Sequence, residues 1–280
     1  MNSCSFKYFD LIYISYSIYI IYISYSMSPY LFTLVMEVLT LMLKYNVQTT
    51  ASFRFHNKCE KERIINVCFA DDLFLFARGE INSAKVVMHA LNEFKDCSGL
   101  VPSMPKSKAF FCNVSDQVKQ AILRVMPFEE EQLPVRYLGV PLISTRLLYK
   151  DCKVLVEKME NRITDWRNKS LSFAGRLQLI QSVLSSFHIY WASVFILPAA
   201  IIKDLEKKMR KFLWSNGPMD NGKAKVSWSS ICLPKAEGGL SIRRIAEVNK
   251  SLMVYHIWSI LTHRESLWVK WIHSYSVESH

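Results

Sequence analysis

The sequence predicts an α+β fold: a small antiparallel sheet with packed helices, followed by a mainly helical region. Three observations predict it. Short runs rich in β-branched and aromatic residues flank an Asp-Asp pair at Asp71-Asp72, too short for helices and of strand character. Apolar residues recur at helical spacing from residue 84 onward and dominate the C-terminal half. Half of the 280 residues are hydrophobic and 13% aromatic, enough for a sizeable core and too much for wholesale disorder.

The formal net charge is +11. Such an excess favours polyanions through counterion release, which makes nucleic acid a natural partner, although a merely basic protein has the same composition. The seven cysteines are odd in number, widely spaced and without a C-x-x-C pair. That argues against a disulfide framework and against a zinc site of closely spaced thiolates. Reduced thiols suit an intracellular protein of the nucleus or cytoplasm.

Residues 1–27 stand apart. Tyr13-Ile14-Ser15-Tyr16-Ser17 recurs as Tyr22-Ile23-Ser24-Tyr25-Ser26, and the stretch between is Ile, Tyr and Ser. It is expected to be low-complexity sequence outside the fold. A membrane anchor over residues 11–23 is the competing reading, weakened by its Tyr and Ser content.

Ser28-Pro29 opens a helix, with Ser as cap and Pro at the first helical position. Tyr30 to Lys44 is apolar nearly all round, so burial is expected. A polar, basic connector, Phe53 to Lys61, leads to the hairpin Ile64–Ala77, with Ala70-Asp71-Asp72 at the bend. A helix follows with Ala84, Val87, Met88, Leu91 and Phe94 inward, ending at Ser98-Gly99. Another begins at the cap Ser115, turns Val118, Ala121, Ile122 and Val125 inward, and stops before Pro127. Leu133 to Leu142, broken by Gly139 and two prolines, suits an edge strand and turn. Thereafter Cys152, Val156, Met159, Ile163 and Trp166 form one helical stripe, and Ser172 to Val194 is a long apolar run. Ala199 to Trp214 follows Pro198 as a helix with Ile202, Leu205, Met209 and Phe212 on one face. Lys203, Lys207, Lys208, Arg210 and Lys211 fall mostly on the other face. Ser215-Asn216-Gly217-Pro218 is a break, and Asn249 to Leu261 is the last helix.

Two adjacent carboxylates repel each other and resist desolvation. A divalent cation removes both problems, and Mg²⁺ is commonly held by one or two carboxylates plus substrate phosphates. The plain alternative is a solvated turn, because Asp bonds its own backbone in bends. Phe69-Ala70-Asp71-Asp72 followed by Leu-Phe-Leu-Phe resembles the metal-binding hairpin of reverse transcriptases. Ser28 to Leu34, Ser98-Gly99-Leu100 with Lys106-Ser107, and Tyr137-Leu138-Gly139-Val140-Pro141-Leu142 narrow the resemblance to plant LINE-type non-LTR retrotransposons.

That resemblance implies a partial polymerase palm over residues 28–145, a thumb-like helical region over 146–216 and a linker segment over 217–280. It implies an RNA-directed DNA polymerase by descent, with Mg²⁺, an RNA template and a DNA primer. Asp71 and Asp72 would be the metal-binding and catalytic carboxylates, and Lys106 the nucleotide-binding lysine. Arg136, Tyr137, Leu138 and Gly139 would hold the primer end, and Lys207, Lys208, Arg210 and Lys211 would contact nucleic acid. The third carboxylate that such chemistry needs has no match: Asp10 is the sole acid before Ser28, and its neighbours differ from the family pattern. The expectation is therefore little or no catalysis. For Lys106, and for the basic helix face, a solvated surface is the plain alternative.

Overall fold

The computed structural model describes residues 11–15, 27–143, 145–167, 171–215, 225–263 and 265–277. Asp10, most of the Ile/Tyr/Ser repeat and the Asn216-Gly217-Pro218 break lie outside them. The described residues form a mixed, mainly helical α+β fold with small sheets. The Cα packing divides into two compact units: residues up to Val135 with 142–145 and 265–280, and residues 136–141 with 146–264.

The first unit is built on a five-stranded sheet. Its elements are β1 (Leu11–Ser15), α1 (Ser28–Thr49), β2 (Asn66–Phe69), β3 (Asp72–Phe76), α2 (Ile81–Ser98), β4 (Lys108–Phe110), α3 (Asp116–Val125) and β5 (Glu129–Glu130). The strand order is β2-β3-β1-β4-β5, antiparallel except for the last pair. Leu73 and Leu75, on one face of β3, join Ala109 of β4 in a core closed by Leu39 and Leu43, by Val87, Leu91 and Phe94, and by Ile122. These side chains come from α1, α2 and α3, so the three helices supply the layer that covers one sheet face.

Three expectations are corrected in this unit. Leu11–Ser15 does not lie outside the fold; it is β1, inserted between β3 and β4. Alternating β-branched and aromatic residues suit a strand between two others, however repetitive their surroundings. Secondly, α1 is not buried all round. Met36, Leu39 and Leu43 form its buried stripe, whereas Tyr30, Leu34 and Tyr45 are at least 65% exposed. A helix on the flank of one sheet can bury only the stripe that meets it. By length and composition α1 is also long and apolar enough to cross a membrane. Thirdly, residues 217–280 are not one segment. The helix α10 (Leu267–Ile272) and the π-helical turn after it return to the first unit. There Trp271 Nε1 donates to Lys58 O at 2.6 Å and the Lys61 N–H to Tyr275 Oη at 2.7 Å.

The helix ends follow local chemistry. Pro29 sits in the first turn of α1, but Met27, not Ser28, is the cap residue. Gly99 ends α2 at φ 71°, a left-handed conformation that costs glycine nothing. Ser115 precedes α3 without a side-chain capping bond.

A two-stranded hairpin, β6 (Val135–Tyr137) and β7 (Val140–Leu142), turns on Leu138 at φ 48° and Gly139 at φ 83°. Two positive φ values in a two-residue loop are the signature of a type I′ turn, which matches strand twist.

The second unit is helical: α4 (Tyr149–Arg167), α5 (Phe173–Ser182), α6 (Ile189–Val194), α7 (Ala199–Trp214), α8 (Trp228–Ile231) and α9 (Ile245–Thr262). The apolar run Ser172–Val194 is two helices joined by a 3₁₀ turn at Leu184–Ser186, not one. Ser172 Oγ caps α5 by accepting from Gly175 N at 3.1 Å. Asn249 of α9, buried, holds the end of α6. Its Nδ2 donates to Ala192 O and Phe195 O at 2.8 and 2.7 Å, and its Oδ1 accepts from Leu197 N at 2.9 Å.

Candidate nucleic-acid interface

Two places gather the residues singled out by the sequence. The first is the β2–β3 hairpin. Phe69 pairs with Asp72, so the loop is Ala70-Asp71, with Ala70 at φ 51°. Asp71 is exposed at the tip and Asp72, half-buried, begins β3. Their charge is felt at Cys68, whose thiol is pushed up by burial and then by the Asp72 and Asp71 carboxylates. On the other side of β3 the residue opposite Asp72 is Ser15, so β1 brings no third acid to that register position. Lys106 lies exposed in the turn before β4. With β1 between β3 and β4, the start of β4 at Lys108 lies in register with Phe74 through Tyr13, two strand spacings or about 10 Å from β3.

Among the described residues no group of three or more His, Cys, Asp or Glu side chains is placed to hold a metal ion. The tip carries the two adjacent carboxylates Asp71 and Asp72, fewer than the three or more clustered ligands such a group needs among the described residues.

The second place is a groove of about 420 Å³ between α4 and α7. Three of the four expected contact residues of α7 line it: Lys207, Lys208 and Lys211. Arg210 does not, since it projects from a different side of the helix. The expectation of a basic face turned away from the apolar stripe is thus refined. Leu205, Met209, Phe212 and Leu213 are buried, and the lysines border a cleft whose far wall is α4.

The α4 wall is what the sequence reading missed. Lys153, Glu157, Glu160 and Thr164 recur at i, i+3/i+4 spacing along one side of the helix, and Tyr149 stands at its start. That periodicity was readable, but only the packing of α4 on α7 gives it a partner. Ion pairs neutralise half of the lysines. Lys208 Nζ lies 2.7 Å from Glu160 Oε2, and Lys153 Nζ 3.6 Å from Glu157 Oε1. Tyr149 Oη donates to Asp204 Oδ2 at 2.7 Å, which raises the phenol's pKa, first through that bond and then through burial. Lys207 and Lys211, one turn apart, have no acid partner among the described residues.

Arg136, Tyr137, Leu138 and Gly139 lie in the β6–β7 hairpin. Arg136 is exposed, Tyr137 is half-buried, and the other two are the loop itself. Asp71, Asp72 and Lys106 line neither the α4–α7 groove nor the two cavities flanking the connector 54–65.

No family model matches the sequence. The chain is similar to an Arabidopsis thaliana protein named "Putative ribonuclease H protein At1g65750", 36% identical over 129 residues, or 46% of this chain. It spans about a fifth of that relative's length, 21%. This finding corrects the reverse-transcriptase assignment and the polymerase activity drawn from it: the relative is named for ribonuclease H, not for a polymerase. The motifs behind the assignment each have a fold-building role that arises without polymerase chemistry. Phe-Ala-Asp-Asp makes a hairpin tip, Leu-Gly a type I′ turn and Ser-Gly a helix C-terminus. What the comparison supports is similarity to a protein of ribonuclease H type.

Proposed function

We propose that this chain is a nucleic-acid-binding part of a ribonuclease H-type protein and contacts RNA–DNA hybrid at the α4–α7 groove. The observation that carries this reading is the pair Lys207 and Lys211, one helical turn apart on the rim and without acid partners among the described residues. Two such ammonium groups suit successive phosphates of one strand, and phosphate contact supplies most sequence-independent affinity. The net charge of +11 and the relative's name support it further. The proposal concerns binding at this groove, where the lysines and not the Asp71-Asp72 pair stand.

The test is fluorescence anisotropy of a labelled RNA–DNA hybrid with the purified chain at low salt. Binding that weakens on adding salt and in Lys207→Ala/Lys211→Ala is the expected result. No binding at about 0.05 M salt, a concentration at which phosphate contacts are strong, would overturn the reading.

A further inference from the structure

The groove has features that a phosphate contact alone does not require. Its floor includes the apolar side chains of Val156 and Ile163, both at most 9% exposed. Its walls carry three acids, Glu157, Glu160 and Asp204, among the four lysines. A surface made only for a duplex backbone has no use for either, because carboxylates repel phosphates and apolar floors gain nothing from them. A nucleobase uses both: an apolar ring face to cover and a mixed edge of donors and acceptors to pair. The volume, about 420 Å³, is of the size that takes a small molecule. A duplex can rest its phosphates on the rim lysines but cannot enter a cleft between two helices packed against each other, whereas one unstacked base can. Tyr149 stands in the lining with its hydroxyl fixed to Asp204 across the two helices, so an aromatic ring is held at the cleft, and aromatic rings are what bases stack on.

Resting on the nucleic-acid reading above, we infer that the α4–α7 groove takes one unpaired nucleotide. Its base lies over Val156 and Ile163 beside Tyr149, and its flanking phosphates lie on Lys207 and Lys211. The chain therefore prefers single-stranded nucleic acid, or a hybrid with a single-stranded overhang, to a blunt duplex.

Anisotropy with the full chain tests this on three probes: a 12-nucleotide single strand, a blunt RNA–DNA hybrid, and the same hybrid with a four-nucleotide overhang. The single strand and the overhang are expected to bind about tenfold tighter than the blunt hybrid, the scale of stacking one base on an aromatic ring. Thr164→Trp, an exposed substitution in the lining, should fill the cleft and bring all three probes to the blunt level. Tyr149→Ala should do likewise, and Tyr149→Phe, which keeps the ring but loses its bond to Asp204, should retain part of the preference. Equal affinity of wild-type protein for all three probes overturns the unpaired-nucleotide inference and leaves the nucleic-acid reading standing. Failure to bind any probe overturns both. A preference that survives both Thr164→Trp and Tyr149→Ala, in proteins that melt like wild type, places the unpaired strand elsewhere and overturns the assignment to this groove.

Discussion

Removing Lys207 and Lys211 together should change how salt weakens binding, and by an amount set before the experiment. Each lysine–phosphate contact releases counterions, so log K falls with log salt by about 0.9 per contact on a duplex and about 0.7 on a single strand. Two contacts therefore account for about 1.8 of the slope with a duplex and about 1.4 with a single strand. Between 0.05 and 0.2 M salt, the ratio of wild-type to variant affinity should shrink by about 12-fold on the duplex and about sevenfold on the single strand. Anisotropy titrations at five salt concentrations read both slopes. Lys153→Ala is the control: its ammonium already faces Glu157 at 3.6 Å, so its loss should leave the slope nearly unchanged. A double variant with the wild-type slope, or a Lys153→Ala slope that falls as far, would refute the argument that the unpaired lysines carry the phosphates.

Three further predictions concern the scaffold. Asn249→Ala should cost about 3 kcal/mol in urea unfolding, since it leaves three backbone groups of α6 and its C-terminal loop, two of them buried, without their partner; a cost below 1 kcal/mol would show that loop to be held by other means. His188 is buried, its Nδ1 has no partner, and burial pulls its pKa from 6.5 down to about 4. The unfolded state therefore binds the proton first, so stability is full above pH 6.5 and falls as pH drops toward 4, by about 3 kcal/mol from this group. His188→Phe should flatten that part of the profile, and identical pH profiles for variant and wild type would count against it. At Ala70 the φ of 51° is a conformation that costs an L-residue about 1–2 kcal/mol. Ala70→Gly should therefore hold or raise thermal stability, where the same change inside a strand lowers it by about 0.5–1 kcal/mol; a drop of that size would show the turn to be unstrained.

The sequence by itself determined the local grammar of this protein. Two apolar runs around Ala70-Asp71 had to form a hairpin, because neither is long enough for a helix and both are β-branched or aromatic. Ser98-Gly99 ended a helix, and Leu205, Met209 and Phe212 set the inner side of α7, with Ile201 rather than the expected Ile202 buried beside them, for reasons contained within a few neighbouring residues. What the sequence could not supply were relations between distant segments. Repetition made Leu11–Ser15 look dispensable, and only pairing with β3 and β4 gives it a place. The apolar girth of α1 promised burial, but how much of a helix is covered depends on how many neighbours surround it. The lysines of α7 could be read equally as a solvated face or as phosphate contacts, and only the packing of α4 beside them pairs Lys208 with Glu160 while Lys207 and Lys211 have no acid partner among the described residues. Charge pairing and cavity shape belong to surfaces that meet in space, and the order of residues along a chain does not state which surfaces meet.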